Sequence, residues 1–280
     1  MGSAAPVRFH CPDCIAPVGR LEGSPACSKC GRGFGPEEGV WDLRPQSLEI
    51  VKANEDQIHA DEGLPTWRRL LFHKRHWIEW CQDRFLPTLL DGHTRSFLEI
   101  GGGLCYASAL AKERAPQAFV LATDLSSRYL RNHAVEVGRI LHSPADAYAA
   151  ADVEALPFED QQFDAVYSQI VLSRLPDPVR ALREIWRVLA PGGTYLAVEH
   201  ATPWGWRAFS REARAMDAWG RPRGVELKPL RLRDWEAIAV AAGFAAGCVA
   251  PIAGRRVRHP ALRRLANAWR PIHLTIRLTR

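Results

Sequence analysis

The sequence predicts an α/β protein: a doubly wound, mainly parallel sheet with a small cysteine-rich module ahead of it. Three observations carry this expectation. Short apolar runs alternate with helix-length amphipathic stretches between residues 93 and 250. Two CxxC pairs stand close together near the N-terminus. The chain has 280 residues, 47% hydrophobic and 24% charged, the composition of an ordinary globular protein with room for one sizeable domain and a small module.

The module spans residues 1–45, rich in Cys, Gly and Pro and too poor in apolar side chains to build a core alone. Cys11-Pro-Asp-Cys14 and Cys27-Ser-Lys-Cys30 each fold into a tight knuckle offering two thiolates. Together they predict a tetrahedral Cys₄ site for a structural Zn²⁺, with no open position for chemistry. A segment this small needs such a staple. The other reading of CxxC, a redox pair, lacks a thioredoxin-like context. Seven cysteines, an odd total, and no apolar h-region between Met1 and His10 point to reduced thiols and a cytoplasmic protein. Cys81, Cys105 and Cys248 read as small buried apolar residues.

Residues 46–92 read as a helical linker or lid, with Trp67, Leu70, Leu71, Trp77, Ile78, Trp80 and Phe85 as its apolar set. Residues 93–280 form the main domain, including a basic C-terminal segment, 251–280. Its strands are expected at Ser96–Ile100, Phe119–Thr123, Tyr148–Asp152, Phe163–Ser168 and Tyr195–His200. A helix precedes the last of these: Asp177 caps it, Pro178 fits its first turn, and Val179, Leu182, Ile185, Trp186 and Leu189 share a face. Pro191-Gly192-Gly193 is expected to stop it. In such a sheet, ligands bind at the carboxyl ends of the strands.

The formal charge is +6, yet residues 251–280 hold eight Arg and no Asp or Glu, so the remainder sums to −2 (6 minus 8). Those Arg residues either track a phosphate backbone or form a solvated face. Ile272, Leu274, Ile276 and Leu278 alternate with polar residues, which predicts a half-buried strand and favours the second reading. Leu262, Leu265, Ala266 and Trp269 suit a short helix before it. No stretch reads as a membrane span; the longest uncharged one, Ala237–Gly254, is Ala/Gly-rich and contains Pro251.

The chemistry is expected at the strand ends. Phe97-Leu98-Glu99-Ile100-Gly101-Gly102-Gly103-Leu104 follows a strand and opens a helix, and its glycines let backbone pass close to a ligand. Asp124 ends the second strand, where an acid can accept both hydroxyls of a ribose. Singly, Glu99 also reads as a helix-start acid and Asp152 as a helix cap.

Taken together, Leu98–Gly103, Thr123-Asp124-Leu125-Ser126, Asp152–Phe158, Phe163–Ser168 and Val188–Gly193 resemble the successive motifs of class I, Rossmann-like S-adenosylmethionine-dependent methyltransferases. The segment from Cys11 through Val40-Trp41-Asp42-Leu43 is similar to the zinc ribbons of the tRNA-methyltransferase activator subunit and of rRNA guanine methyltransferases. The resemblance implies S-adenosyl-L-methionine as cofactor. Glu99 would lie near its amino-acid portion, with Gly101, Gly102 and Gly103 along its methionine and ribose. Asp124 would hold the ribose hydroxyls, with Leu125 against the adenine. Asp152 and the Val153 backbone would meet the adenine edge, and Ser168 and Gln169 the methionine end. Asp164 would fix structure. Two departures stand out. Cys105, followed by Tyr106, replaces a frequent third glycine and sets either Cys105 or Tyr106 at the methionine end. Leu172-Ser173-Arg174 replaces a frequent Leu-His-His.

The implied activity is methyl transfer to an O or N nucleophile of a small molecule, in secondary metabolism. Alternatives are a base methyltransferase of rRNA or tRNA, and a partner-docking protein with a vestigial cofactor site. His200, at the end of the fifth strand, is the candidate general base; His59, His73 and His76 are weaker ones, and each histidine also suits a plain polar role. Trp204 and Trp206 suit an apolar pocket or core packing. The expected partners are a small-molecule acceptor rather than nucleic acid, no membrane, and a protein docked through the ribbon; the oligomeric state is left open.

Overall fold

The computed structural model describes residues 7–48, 67–200, 232–245, 248–252 and 273–280, with residues 218, 230 and 262 standing alone. The expected helix around 262–269, the tryptophans 204 and 206, His59 and the side chain of His73 lie outside the described residues.

Among the described residues the main sheet has nine strands in the order β10-β11-β9-β8-β5-β6-β7-β4-β3. They are β3 (Pro36–Glu37), β4 (Val40–Asp42), β5 (Ser96–Ile100), β6 (Phe119–Asp124), β7 (Ala147–Ala150), β8 (Phe163–Gln169), β9 (Leu189–His200), β10 (Cys248–Ile252) and β11 (His273–Thr279). β4, β7, β6, β5, β8 and β9 run parallel to their neighbours. β11 is antiparallel to β9 and β10, and β3 to β4. From β5 the chain first builds outward through β6 and β7, then returns to the other side of β5 with β8 and β9. The strand order therefore reverses between β5 and β8, where an open α/β sheet leaves a crevice.

Alternation along the strands splits the core between two faces. Leu98, Ile100, Leu121, Ala149 and Val166 pack on one face with helix α4 (Pro178–Val188) and helix α5 (Leu232–Ala241). Phe97, Val120, Ala122, Ala165 and Tyr167 pack on the other with helix α1 (Trp67–Trp80), helix α2 (Tyr106–Arg114) and helix α3 (Val135–Ile140). α1 is extended by a π turn, Cys81–Phe85, and α3 is preceded by another, Leu130–Ala134.

α4 forms as its caps predict. Asp177 accepts from the Arg180 amide at 3.0 Å and Pro178 opens the helix. It ends at Val188, and Pro191-Gly192-Gly193 falls within β9, which begins six residues before the expected start. Tight packing explains the glycine: a Cβ on Gly193 would lie 2.9 Å from the Phe163 carbonyl oxygen on β8. The third expected strand is shifted to Ala147–Ala150. β11 matches its alternation, with Leu274, Ile276 and Leu278 fully buried. Arg280, in the basic segment, caps α4: its Nη1 donates to the carbonyls of Trp186, Arg187 and Leu189, and its guanidinium lies 3.9 Å from the Trp186 ring centroid.

The cysteine module is joined to the sheet. Its hairpin, β1 (Arg8–His10) with β2 (Pro17–Arg20), is antiparallel. Phe9 is fully buried and bridges to Phe158, with Phe34 edge-on to it at 5.2 Å. β4 then extends the main sheet beside β7. The apolar side chains that this segment cannot bury alone thus complete the core on the α4 face.

Candidate functional site

A cleft of about 650 Å³ opens at the carboxyl ends of the strands, within the size range of small-molecule sites. Glu99, Gly101, Gly102, Gly103, Leu104, Tyr106, Asp124 and Tyr129 line it on the β5–β6 side. Gln169, Ile170, Arg174, His200 and His273 line it on the β8–β9–β11 side, and Lys74, His76 and Trp77 come from α1. The helix expected as a cover therefore borders the cleft.

The glycine turn is shaped by both conformation and space. Gly101 and Gly103 hold φ of +59° and +55°, and a Cβ on Gly101 would lie 2.6 Å from Val171 Cγ2. Gly102 leaves room for Glu99, since a Cβ there would fall 2.9 Å from the Glu99 Cδ. Glu99 is buried, and its Oε2 accepts from the Ser108 amide at 2.7 Å and hydroxyl at 2.6 Å. Burial pushes its carboxyl up to about 7, against the pull of the Ser108 hydrogen bonds. Asp124 is oriented by backbone donors: Gly103 N reaches Oδ2 at 2.8 Å and Ser126 N reaches Oδ1 at 2.9 Å.

Cys105 takes φ +51°, the left-handed conformation a glycine adopts without strain, and caps α2. Its thiol is buried, 3.5 Å from the Gly103 carbonyl oxygen, and Tyr106 rather than Cys105 faces the cleft. The Tyr106 hydroxyl donates to Gln169 Oε1 at 2.5 Å, and the Tyr167 hydroxyl does so at 3.1 Å.

Of the residues the sequence points to, the cleft gathers Glu99, Gly101, Gly102, Gly103, Tyr106, Asp124, Gln169 and His200. Leu125, Asp152, Val153 and Ser168 are not in its lining. Ser168 faces the other side of β8, hydrogen-bonded to the buried Tyr195 hydroxyl at 2.7 Å. Asp152 is buried and caps the turn Val153–Ala155 by accepting from Glu154 N at 2.9 Å. Asp164 ties β8 to β5 by accepting from Arg95 N and Ser96 N at 2.7 and 3.0 Å.

Sequence reasoning missed Lys74, Leu104, Tyr129, Ile170, Arg174 and His273 as lining residues, whereas His76, a weaker candidate base, and Trp77, in the expected cover, do line the cleft. Arg174 carries one signal in the sequence, standing where relatives often place histidine. His273 carries none, because its place depends on the β9–β11 register, which sets it opposite His200. Also missed was Glu199, fully buried. It accepts from the amides of Val171 at 3.0 Å, Leu172 at 2.8 Å and Ser173 at 3.3 Å, and so fixes the turn that carries Arg174.

His200 is held well away from protonation. Burial, then the positive charges of Arg174 and Lys74, push it down to about 4. Burial and the neighbouring His200 and His76 push His273 down to about 3. Both imidazoles are neutral near pH 7.

The four module cysteines bring their Sγ atoms within 4.8 Å of one another, with Cys11–Cys30 at 3.6 Å and Cys14–Cys27 at 3.5 Å. Zinc–sulfur bonds of about 2.3 Å place tetrahedral sulfurs about 3.8 Å apart, so these residues fit zinc. The two knuckles match. Ile15 N donates to the Cys11 carbonyl and Gly31 N to the Cys27 carbonyl, at 2.8 and 2.9 Å. Ile15 holds φ +62° where its counterpart Gly31 holds +78°. A β-branched residue thus takes, in the first knuckle, the conformation that a glycine takes in the second.

Comparison with known proteins agrees with this geometry. Residues 98–197 match the methyltransferase domain family. The malonyl-[acyl-carrier protein] O-methyltransferase of Erwinia pyrifoliae is 36% identical over 116 residues, 41% of this chain and 41% of that protein. A demethylmenaquinone methyltransferase of Listeria monocytogenes is 33% identical over 163 residues, 55% of this chain and 66% of that protein. The chain spans about half the length of the curated relatives it matches. Among solved structures, a chain from the complex between the Haloferax volcanii Trm112 methyltransferase activator and a methyltransferase superposes with a TM-score of 0.56 at 19% identity, covering 82% of this chain and 97% of that one. Residues 98–197 thus match a methyltransferase domain, and the fold, with its strand order reversed between β5 and β8, is shared with solved methyltransferase structures.

Proposed function

We propose that this protein transfers a methyl group from S-adenosyl-L-methionine to an oxygen or nitrogen nucleophile of a small molecule, in secondary metabolism, and that its cysteine module carries one structural zinc. The observation that carries this reading is the cleft at the strand-order reversal, with Glu99, the glycine turn and Asp124 on one side and Gln169 and His200 facing them. Two matched relatives are named for methyl transfer to malonyl-[acyl-carrier protein] and to demethylmenaquinone, and the second supports a small acceptor.

Glu99 and the backbone of Gly101–Gly103 would hold the amino-acid portion and Asp124 the ribose. Leu125, Asp152 and Val153 would meet the adenine, next to the end of β7, while Ser168 would support the methionine end from behind the strand. The bound cofactor supplies an already activated, electrophilic methyl group. The protein's own task is then alignment and exclusion of water. Trp77 and Tyr106 wall the cleft against solvent, and Gln169 is steadied by two tyrosine hydroxyls. Neutral His200, its conjugate acid at about 4, would orient the acceptor by a hydrogen bond rather than remove its proton.

Calorimetry with S-adenosylmethionine tests the reading: one cofactor bound per chain is expected, and no binding at millimolar concentration overturns it. Methyl transfer to small acceptors is read as S-adenosylhomocysteine release. Steeply salt-dependent binding of RNA instead would overturn the small-molecule clause. Metal analysis should find one zinc per chain, lost in Cys27→Ala; a folded, metal-free wild type overturns the zinc clause.

A further inference from the structure

The half of the cleft away from the cofactor turn is basic. Lys74 and His76 on α1, Arg174 after β8, His200 at the end of β9 and His273 at the start of β11 line it. The acids of the described lining, Glu99 and Asp124, sit across the strand-order reversal at the ends of β5 and β6. The His200 and His273 rings are 4.9 Å apart, and the edge of Trp77 meets His273 at 4.7 Å. His200 Nε2 is buried without a hydrogen-bond partner among the described residues, a state that costs free energy until a ligand supplies the bond. Desolvation, then Arg174, draws Lys74 below its ordinary ammonium value. Crowded positive charge beside neutral imidazoles is an arrangement an oxyanion relieves. The Glu199 carboxylate accepts from the amides of Val171, Leu172 and Ser173 and so fixes the backbone turn that carries Arg174.

Resting on the methyltransferase reading, we propose that the acceptor carries an anionic oxygen group, a carboxylate or phosphate, bound by Arg174 and Lys74 with His200 Nε2 completing its hydrogen bonds. Trp77 supplies an apolar wall for the body of the molecule. The test uses protein saturated with S-adenosylhomocysteine and titrated calorimetrically with benzoate, phenyl phosphate and the neutral analogue benzamide. At least one anion is expected to bind, about tenfold or more tighter than benzamide. The preferred anion tells carboxylate from phosphate. Arg174→Met and Lys74→Met should each weaken anion binding about tenfold and leave S-adenosylhomocysteine affinity within about twofold. Benzamide binding as well as the tighter of the two anions, no binding of either anion, or wild-type anion affinity in both variants overturns the proposal. Equal loss of S-adenosylhomocysteine affinity also overturns it, because the cations would then hold the cofactor's own carboxylate. Failure of the wild type to bind S-adenosylhomocysteine at the outset overturns the methyltransferase reading itself, a result distinct from all of these.

A separate run of contacts joins the cysteine cluster to the loop after β6. Asp13, inside the first CxxC, accepts from Arg32 Nη1 at 2.7 Å and Gln46 N at 2.6 Å. Arg32 also donates to the main-chain oxygens of Asp42 at 3.1 Å and Arg44 at 2.9 Å. Arg44, paired with Asp42 at 2.6 Å, donates to the Leu125 carbonyl at 3.2 Å and the Ser127 hydroxyl at 3.0 Å. We infer that Arg44 is a positioning residue through which the zinc module sets the shape of the Asp124–Ser127 loop and hence cofactor affinity. Arg44→Met should keep one zinc per chain and its melting temperature while weakening S-adenosylhomocysteine binding about fivefold, with Arg44→Lys intermediate. Chelating the metal should weaken binding in the wild type and add little in Arg44→Met. Wild-type affinity in Arg44→Met overturns the inference, whatever chelation does to the fold.

Discussion

Glu99 makes the cofactor site sensitive to pH near neutrality. Its carboxyl is pushed up to about 7, first by burial and against the Ser108 hydrogen bonds. A carboxyl raised above its unfolded value of 4.5 favours the folded state below that value and loses this advantage as pH rises through 7. A cationic ligand reverses the preference, because it pairs with the ionised form. With a pKa of about 7, the carboxylate is about one-tenth ionised at pH 6 and about nine-tenths at pH 8. Cofactor affinity should therefore rise about tenfold between those pH values, with release of the Glu99 proton. Calorimetry in two buffers of different ionisation enthalpy measures both effects. The ligand's own amine titrates nearby, so the comparison is with Glu99→Gln, whose amide oxygen still accepts from Ser108. That variant should bind more weakly at pH 8 and lose the part of the slope belonging to the protein. Equal slopes in wild type and Glu99→Gln would refute the assignment of this carboxyl to the cofactor's cationic portion.

Three further outcomes follow from the geometry. Ile15→Gly should stabilise the protein by about 1 kcal/mol, since a β-branched residue at φ +62° is replaced by one that adopts this conformation freely; an unchanged or lowered unfolding midpoint contradicts the strain. Gly102→Ala should leave a folded chain that binds S-adenosylmethionine at least tenfold more weakly, because its Cβ would press within 2.9 Å of the Glu99 Cδ while Ser108 holds that carboxylate in place; wild-type affinity would show that the turn yields. His200 and His273 are depressed below the ordinary 6.5, so the stability they contribute is present above that value and lost as pH falls towards their folded values of about 4 and about 3. Urea unfolding should show a loss of about 2 kcal/mol per imidazole between pH 7.5 and 5, and His273→Leu should remove one such share; identical pH profiles would remove the histidine pair from the explanation.

Much of the domain was legible in the residues. Short apolar runs placed β5, β6 and β8, because strands covered by helices on both faces are apolar nearly throughout, and period-two alternation placed the half-buried β11. The Asp177-Pro178 cap placed α4 for the same reason, as a cap acts within four residues. The weaker expectations fell where local pattern and tertiary packing disagree. The helix stops ahead of Pro191-Gly192-Gly193, but β9 starts at Leu189 rather than at Tyr195, because Leu189 pairs with Phe163 of β8, a contact no local pattern records.

The sequence by itself determined the fold class, the cysteine set and the cofactor side of the cleft. Those features rest on contiguous motifs, in which a few neighbouring residues shape one turn or one knuckle. Only the tertiary structure decided that β4 carries the cysteine module into the main sheet, that Arg44 reaches the loop after Asp124, and that Lys74, Arg174, His200 and His273 converge on one end of the cleft. These groups are brought together by strand register and helix packing across long chain separations. No local pattern records that convergence.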